Sequence, residues 1–346
     1  MKKLKKISTI SVFFSGVWRF VLLVLLLLGA YLLIKSLFFS ASASLSPIKT
    51  VPAFSVSYVV SGNSLWGLGA MSDIKDNMKI IKEAGFGGIK VGFNLNQSHS
   101  DQGAVINEAA KNGLYSIGLF SGHNVKPADR AFSEDEMNNW QEMVRSNVRK
   151  YKNTVYFWEI WNEPNMTALR FRYGTPQEYL ELLKTTSAII RQENPNAQII
   201  MNTDMGDRES STFTEALMAL NPEPYYDILS LHPYGSNDAE IDETIFKKHL
   251  SDQKSMMQRF SIDKPLMISE IGQPSGNIGE TEQMSRAEMA FRTANHQNIP
   301  IVWLHFSDKL TASIDGKSGW GLMRLDGSAK PVFDALKSYI KSVSNR

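Results

Sequence analysis

The sequence lacks cysteine altogether, although it is 346 residues long. This absence excludes disulfide bonds, thiolate zinc sites and a cysteine nucleophile. The sequence also lacks any block of like charge, and its net charge is only +2. Because five of the 37 Lys and Arg precede residue 20, the rest of the chain has more acidic than basic residues. We therefore expect no nucleic-acid partner.

Two groups of hydrolase motifs are missing as well. The six histidines are dispersed, and the chain has neither His-x-His nor His-Glu-x-x-His, which argues against a metal hydrolase. It also has no Gly-x-Ser-x-Gly turn, which argues against a serine hydrolase of the α/β type. We therefore expect neither a metal nor another cofactor.

The N-terminus differs in character from the rest of the chain. Residues 1–19 form a basic stub, and residues 20–39 are almost entirely apolar, as long as the roughly 20 residues that a membrane-spanning helix needs. This pattern predicts a single-pass anchor with the basic stub in the cytoplasm and the remainder outside it. A cleaved signal helix is the alternative, because residues 41–43, Ala-Ser-Ala, resemble a cleavage site and would release a secreted protein.

The remaining chain consists of a short linker and one large domain. Residues 40–54 are rich in Ser, Ala and Pro and predict the linker, and residues 55–346 have the size of a single barrel. From about residue 64, short apolar runs alternate with segments of helical period, as in repeated βα units. Eight such units predict an α/β protein with a (β/α)8 TIM barrel. The predicted strands are residues 66–70, 88–93, 114–120, 155–161, 198–202, 228–232, 266–270 and 301–306.

The helices between these strands have recognisable borders. Thr175 is a suitable N-cap, and Pro176 follows it at the first helical position, where a missing amide proton costs nothing. Gly85 and Gly113 are placed where a helix turns into a strand. The predicted helices include residues 74–83, 134–150, 176–193, 210–220, 240–259, 280–295 and 330–343.

Two glutamates stand at the ends of predicted strands four and seven. Glu163 follows the fourth strand, with Pro164 biasing it away from the helical region, and Glu270 ends the seventh. Each acid alone could be a solvated loop residue or half of a structural ion pair. Together they face one another across the mouth of a barrel, where the chemistry of this fold takes place.

A facing pair of carboxylates is what glycosidic bond cleavage requires. In the retaining mechanism the two groups lie ~5 to 5.5 Å apart, one protonating the leaving oxygen while the other attacks the anomeric carbon. We expect Glu163 to be the general acid/base, with a raised pKa, and Glu270 to be the nucleophile, which remains ionised.

The residues around the two acids resemble those of clan A glycoside hydrolases. The resemblance rests on residues 161–165, Trp-Asn-Glu-Pro-Asn, with Ser269 and Glu270. Residues 158–165 and 231–235 are most similar to glycoside hydrolase family 39, and family 5 is next. The resemblance covers about residues 60–340 and implies a retaining β-glycosidase acting on a polysaccharide or oligosaccharide.

The resemblance also implies roles for further residues. Asn162 matches the asparagine that hydrogen-bonds the sugar 2-hydroxyl. His232 and Tyr234 match groups that line the reacting subsite, and Tyr234 is placed to hydrogen-bond Glu270. Trp303 matches the aromatic floor on which the sugar stacks.

Three more candidates for substrate binding are less strongly defined by the pattern. Lys90 stands where relatives commonly have an arginine that holds the nucleophile, and an ion-paired lysine is the alternative. His123 follows strand three and is either a sugar ligand or an exposed loop residue. Trp320, after strand eight, is either a second sugar platform or a packing residue.

Two other functions remain open on the same barrel. One is a surface carbohydrate-binding protein without turnover, and the other is a transglycosidase, in which a sugar instead of water reaches the covalent intermediate. The sugar and its linkage cannot be read from the two glutamates, because barrel loops determine specificity. Short strand-to-helix loops favour an open groove and an endo-acting enzyme.

Overall fold

The computed structural model describes residues 54–57, 71–96, 99–122, 130–165, 173–203, 205, 208–234, 241–309 and 319–344. Eight parallel strands in these residues close into a barrel in chain order, with the last strand pairing with the first. The predicted (β/α)8 barrel is therefore confirmed. It lies in a compact unit, Ile48–Arg346.

The strands and helices follow one another in the expected alternation. The strands are β1 (Phe54–Ser57), β2 (Gly88–Asn94), β3 (Tyr115–Ser121), β4 (Val155–Ile160), β5 (Gln198–Asn202), β6 (Ile228–Leu231), β7 (Leu266–Ile271) and β8 (Ile301–Leu304). The helices are α1 (Met71–Glu83), α2 (Ser100–Lys111), α3 (Glu134–Tyr151), α4 (Pro176–Glu193), α5 (Arg208–Ala219), α6 (Glu243–Arg259), α7 (Ser275–Ile278), α8 (Glu280–His296) and α9 (Pro331–Ser344).

The first strand is the one that the sequence pattern misplaced. We predicted it at residues 66–70, which lie outside the described residues, whereas β1 is Phe54–Ser57 and begins at the last residue of the predicted linker. Half of this four-residue strand is serine, so its apolar signal is weak. Its identity comes from pairing with both β2 and β8, which closes the barrel.

The predicted membrane or signal segment, residues 20–39, also lies outside the described residues. Among the helices that the structure describes, none has both the length and the apolar character needed to cross a bilayer.

Side chains alternate between two cores along each strand, as the period of two in a β-strand requires. One face of the sheet fills the barrel interior, and the other packs against the helices. The interior apolar residues are Tyr115, Ile117, Phe157, Ile200, Ile228, Met267 and Val302. On the helix side, the rings of Phe120 and Trp158 stack with centroids 4.6 Å apart.

The helix borders that were predicted from caps are confirmed. Thr175 accepts a hydrogen bond from the Glu178 amide, and the Glu178 side chain accepts one from the Thr175 amide. This reciprocal pair satisfies two of the amide groups that a helix start leaves unpaired. Pro176 follows at the first position of α4.

Gly118 is a strand position that requires a glycine. A Cβ atom there would lie 2.3 Å from the Trp158 ring on β4. We expect Gly118→Ala to destabilise the barrel by about 1 to 3 kcal/mol, since a stacked tryptophan has little room to move. Thermal unfolding of Gly118→Ala beside Gly92→Ala measures this, because a Cβ on Gly92, also within a strand, meets nothing within 4 Å. Equal melting temperatures for the two variants would contradict the expectation.

Candidate active site

Glu163 is held by a short, sharply bent segment after β4. The backbone φ angle is +68° at Trp161 and +50° at Glu163, a left-handed region that side chains larger than glycine seldom occupy. The segment is fixed because the Trp161 amide donates to the Phe120 carbonyl at 2.9 Å and the Glu163 amide donates to the Asn202 Oδ1 at 3.1 Å. Strain of this kind is typical of functional sites.

The indole of Trp161 holds the same bend in place by packing against other aromatic rings. It is fully buried, and its ring lies 4.8 Å from that of Tyr173, 5.5 Å from that of Phe132 and 5.7 Å from that of Trp140. Asn162, the candidate for the sugar 2-hydroxyl, lies between Trp161 and Glu163 and is 9% exposed. The bend therefore presents Asn162 and Glu163 together.

Glu270 lies at the end of β7, as the sequence predicts. The Tyr234 hydroxyl donates to its Oε1 at 3.3 Å, which is the contact expected from the sequence. The Lys90 ammonium lies 4.0 Å from its Oε2. The tyrosine hydrogen bond holds the carboxylate on the side of β6.

His232, directly after β6, lies beside both acids and hydrogen-bonds one of them, Glu163. Its Nδ1 is 2.7 Å from Oε1 of Glu163, and its Nε2 is 2.9 Å from the Ser269 hydroxyl. One carboxylate oxygen of Glu163, one nitrogen of His232 and one carboxylate oxygen of Glu270 all lie within 4.8 Å of one another. The structure therefore brings Glu163 and Glu270 together at one end of the barrel.

The charges around His232 decide its protonation state. Burial lowers its pKa, but the negative charges of Glu270, Glu159 and Glu163 outweigh burial and raise the pKa to about 10. The ring is therefore an imidazolium at neutral pH, with both nitrogens donating. Both ring nitrogens of His232 already have hydrogen-bond partners, Glu163 on Nδ1 and Ser269 on Nε2, so a metal ion at Glu163, His232 and Glu270 would have to displace a proton and break one of these hydrogen bonds.

The pKa of Glu270 does not follow the expectation from the sequence. Burial raises it, while the positive charges of His232 and Lys90 oppose the rise. The sequence predicts a raised pKa for Glu163 and an ionised Glu270. The difference arises because Glu270 is itself enclosed by the barrel mouth, which a linear sequence does not show.

Lys90 forms an ion pair with a carboxylate in the barrel interior. Its ammonium lies 2.6 Å from Oε2 of Glu159 and donates to the Ser269 carbonyl at 3.0 Å. Burial raises the pKa of Glu159, but Lys90 and His232 overcome this effect and lower it to about 2. Of the two readings of Lys90 from the sequence, the ion-paired lysine is therefore the one that the contacts favour.

The two tryptophan candidates lie in different places. Trp303 is fully buried on the helix side of β8, with its ring 6.4 Å from that of Phe291 on α8. It therefore does not form the predicted aromatic floor, because its neighbour Val302 takes the inward position and alternation turns Trp303 outward. Trp320 instead lies edge-on to Tyr234, at 6.3 Å and 88°.

Gly272 makes room for this arrangement. A Cβ on Gly272 would lie 3.0 Å from the Trp320 ring and 2.4 Å from the Leu304 carbonyl. Trp320 is half-buried, so part of its ring remains accessible. His123, the last sequence candidate, lies outside the described residues.

A polar layer lies directly above the apolar interior of the barrel, and of its members the sequence motifs had pointed only to Lys90 as a site residue. Each member stands two residues after an interior position on its strand, so alternation alone would have found it. Glu159 follows Phe157, and Asn202 follows Ile200 in the same way. The members of this polar layer are Lys90, Glu159, Asn202, Ser230 and Ser269.

His305 was also missed. It follows β8, and burial together with the nearby charge of Lys90 lowers its pKa to about 3. Its imidazole is therefore neutral at physiological pH, in contrast to His232.

A closed parallel barrel with one acid after β4 and another on β7, both at its mouth, is the arrangement that the sequence predicts for clan A glycosidases. The family model for cellulase, glycosyl hydrolase family 5, matches residues 59–309. The chain therefore belongs to that family, and its resemblance to clan A is confirmed. No curated protein sequence matches the chain.

Several solved structures share the fold. A family 39 glycoside hydrolase from the gut symbiont Bacteroides cellulosilyticus WH2 has a TM-score of 0.65 and 17% identity, and covers 85% of this chain. This chain spans 64% of the length of that enzyme. A GH5_18 protein from Streptomyces cattleya, in complex with GlcNAc, has a TM-score of 0.66 and 14% identity, over 86% of this chain and 81% of its own. An endo-1,4-beta-mannanase from Rhizomucor miehei has a TM-score of 0.59 and 14% identity, over 86% and 97%.

Proposed function

We propose that the protein is a retaining β-glycoside hydrolase in which Glu163 is the general acid/base and Glu270 the nucleophile. The observation that carries this proposal is the distance between the two carboxylates, whose closest oxygens lie within 4.8 Å. Retaining enzymes have a separation of ~5 to 5.5 Å, whereas inverting enzymes need ~6.5 to 9.5 Å to admit a water molecule.

The first half of the reaction forms a covalent intermediate. A Glu270 oxygen attacks the anomeric carbon while the bond to the leaving oxygen breaks, and Glu163 gives its proton to that oxygen. Tyr234 orients the Glu270 carboxylate through its hydrogen bond. Asn162, next to Glu163, is placed to hydrogen-bond the sugar 2-hydroxyl, an interaction that strengthens in the transition state.

The second half releases the sugar. Glu163, now ionised, takes a proton from water as the water oxygen attacks the anomeric carbon and Glu270 leaves. The imidazolium of His232, 2.7 Å from Glu163, stabilises the ionised form between the two half-reactions.

The anomeric configuration of the first-formed product tests the mechanism. Proton NMR during hydrolysis of aryl β-glycosides by the full-length protein should show the β anomer before mutarotation. An initial α product would refute retention. Absence of turnover on a panel of aryl glycosides and polysaccharides would favour the carbohydrate-binding alternative, and sugar transfer to an added acceptor would favour the transglycosidase.

The expected substrate is a β-linked polysaccharide or oligosaccharide. The similar structures include an endo-1,4-beta-mannanase and a GH5_18 variant from Streptomyces cattleya in complex with the β-linked disaccharide Manb1-4GlcNAc. We infer endo action, as the short loops of the sequence favour. An oligosaccharide bound to Glu163→Gln would show the number of subsites on each side of the two carboxylates.

Trp320 is the aromatic residue that we propose as the sugar platform in place of Trp303. Its ring contacts Tyr234, which in turn contacts Glu270, so a sugar stacked on it would adjoin the reacting bond. We expect Trp320→Ala to raise KM about 5-fold with a smaller change in kcat, consistent with the ~1 kcal/mol of an aromatic contact. Trp303→Phe is the control, since it should lower the melting temperature and leave KM unchanged. Equal KM for Trp320→Ala and the native protein would contradict this role.

We also propose that the barrel functions outside the cytoplasm, as an anchored or a released enzyme. The basic stub and the apolar segment at residues 20–39 support this location. Protease treatment of intact cells should digest the barrel of an anchored protein, and full protection together with absence from the medium would contradict export.

A further inference from the structure

Glu159 is a buried carboxylate to which the proposed reaction assigns no role. It is the fifth residue of β4, and its side chain points into the polar layer of the barrel. A charge in such a place is costly unless it is paired and hydrogen-bonded. The partners of Glu159 therefore indicate what this carboxylate does in the site.

Both oxygens of Glu159 are engaged. Oε2 lies 2.6 Å from the Lys90 ammonium. Oε1 accepts hydrogen bonds from the Ser269 hydroxyl at 2.6 Å and from the Ser230 hydroxyl at 3.2 Å. The shortest of these side-chain hydrogen bonds leads to β7, where Ser269 directly precedes Glu270.

The hydroxyl of Ser269 has a single proton, which determines the donor and the acceptor in each of these hydrogen bonds. An ionised carboxylate only accepts, so Ser269 donates its proton to Glu159. The oxygen of Ser269 must then accept from the Nε2–H of His232, at 2.9 Å. The other ring nitrogen, Nδ1, lies 2.7 Å from Oε1 of Glu163 and donates its proton to that oxygen.

We propose that Glu159 is a positioning residue that acts through Ser269 to fix the orientation and protonation of His232, and thereby the proton that Glu163 uses. This inference rests on the proposed function. Lys90 keeps Glu159 ionised, so that Glu159 remains an acceptor, and its contact with Glu159 at 2.6 Å is much shorter than its approach to Glu270 at 4.0 Å.

The groups that face His232 come from three other strands. Glu159 and Glu163 belong to β4 and the bend after it, and Glu270 and Ser269 belong to β7. Lys90 on β2 is paired with Glu159, and the Tyr234 hydroxyl lies beyond Glu270. Three carboxylates against one imidazole favour the imidazolium, in agreement with its raised pKa.

The test is a direct titration of His232 by NMR in full-length protein labelled on its six histidines. The resonance is assigned by its loss in His232→Asn. Glu159→Gln should lower the pKa of His232 by about 1 to 3 pH units, because a negative charge 3.8 Å from Nε2 is removed and the acceptor that orients Ser269 is weakened. The Ser269 variants, which leave the charge of Glu159 in place, separate the effect that passes through Ser269 from the direct effect of the charge. Ser269→Ala should lower it as well, and Ser269→Thr, which keeps the hydroxyl, should restore it.

Asp308→Asn is the matched control. Asp308 is also a buried carboxylate paired with a buried lysine, Lys330, at 2.7 Å. Its replacement should leave the pKa of His232 unchanged. This control separates a specific effect of Glu159 on His232 from the destabilisation that follows the loss of any buried ion pair. An unchanged His232 pKa in Ser269→Ala would overturn the proposal, and so would an unchanged pKa in a folded Glu159→Gln.

The test also gives an answer if a variant does not fold or if the native protein is inactive. If Glu159→Gln fails to fold because Lys90 is left buried without its partner, the Ser269 variants decide the question on their own. If the native protein hydrolyses no glycoside, the proposed function fails, while the titration still reports whether Glu159 controls His232. In an active enzyme, the alkaline limb of kcat/KM should move to lower pH in Glu159→Gln, whereas a purely structural loss would lower activity equally at every pH.

Discussion

Replacement of Glu270 by alanine is expected to lower kcat on aryl β-glycosides by about 10⁴-fold or more. The variant has no carboxylate with which to form the glycosyl-enzyme intermediate, so only the acid and the binding contacts of the site remain. Steady-state rates of the native protein and the variant measure this loss. Because Glu270 lies within 4.0 Å of the Lys90 ammonium, thermal unfolding should accompany the rates to show that the barrel is intact.

Added azide tests the role of Glu270 as the nucleophile more specifically than a loss of rate does. In Glu270→Ala a small anion can occupy the space of the carboxylate and attack the anomeric carbon from that side. The product should then be an α-glycosyl azide, formed in one step with inversion. Unchanged turnover in Glu270→Ala would remove the mechanism, and a β-glycosyl azide would show that Glu270 is not the nucleophile.

Glu163→Gln has the second large expected effect, and it depends on the leaving group. We expect a loss of about 10² to 10⁴-fold on natural glycosides, which need protonation of the leaving oxygen. A dinitrophenyl glycoside needs little protonation, so its first step should remain fast while the second step, which lacks a base, becomes slow. Rapid-quench measurements should then show a burst of one dinitrophenolate per active site.

Azide again distinguishes the roles of the two acids. In Glu163→Gln it should attack the covalent intermediate and give a β-glycosyl azide, the opposite anomer to that from Glu270→Ala. Glutamine is the appropriate replacement, because its amide oxygen can still accept from the Nδ1–H of His232. A uniform loss on activated and natural substrates alike would show that Glu163 does not act as the acid.

The largest part of the fold could be predicted from the sequence because it depends on local signals. Strand and helix periods recur along the chain, and caps such as Thr175 and Pro176 mark the borders. β1 lacks those signals, since its two serines carry little apolar pattern. It is a strand because β2 and β8 leave a gap that it closes.

The candidate site also has a part that the sequence predicts and a part that it does not. Glu163 and Glu270 follow from strand order, because parallel strands bring their carboxyl ends to one face of the barrel. The direction of each aromatic side chain does not follow from the motif. Trp303 matches the floor residue in the sequence, yet alternation turns it towards α8, and Trp320 takes the place beside Tyr234.

The sequence by itself determined the barrel, the two facing glutamates and the class of reaction, since each depends on residue type at a strand end. Only the tertiary structure decided which polar groups surround the two glutamates. Lys90, Glu159 and Ser269 lie on three different strands and His232 directly follows a fourth, and they form one chain of contacts because barrel closure brings those strands to a common interior. The pKa of a buried group depends on all the charges that face it, which only the folded chain brings together.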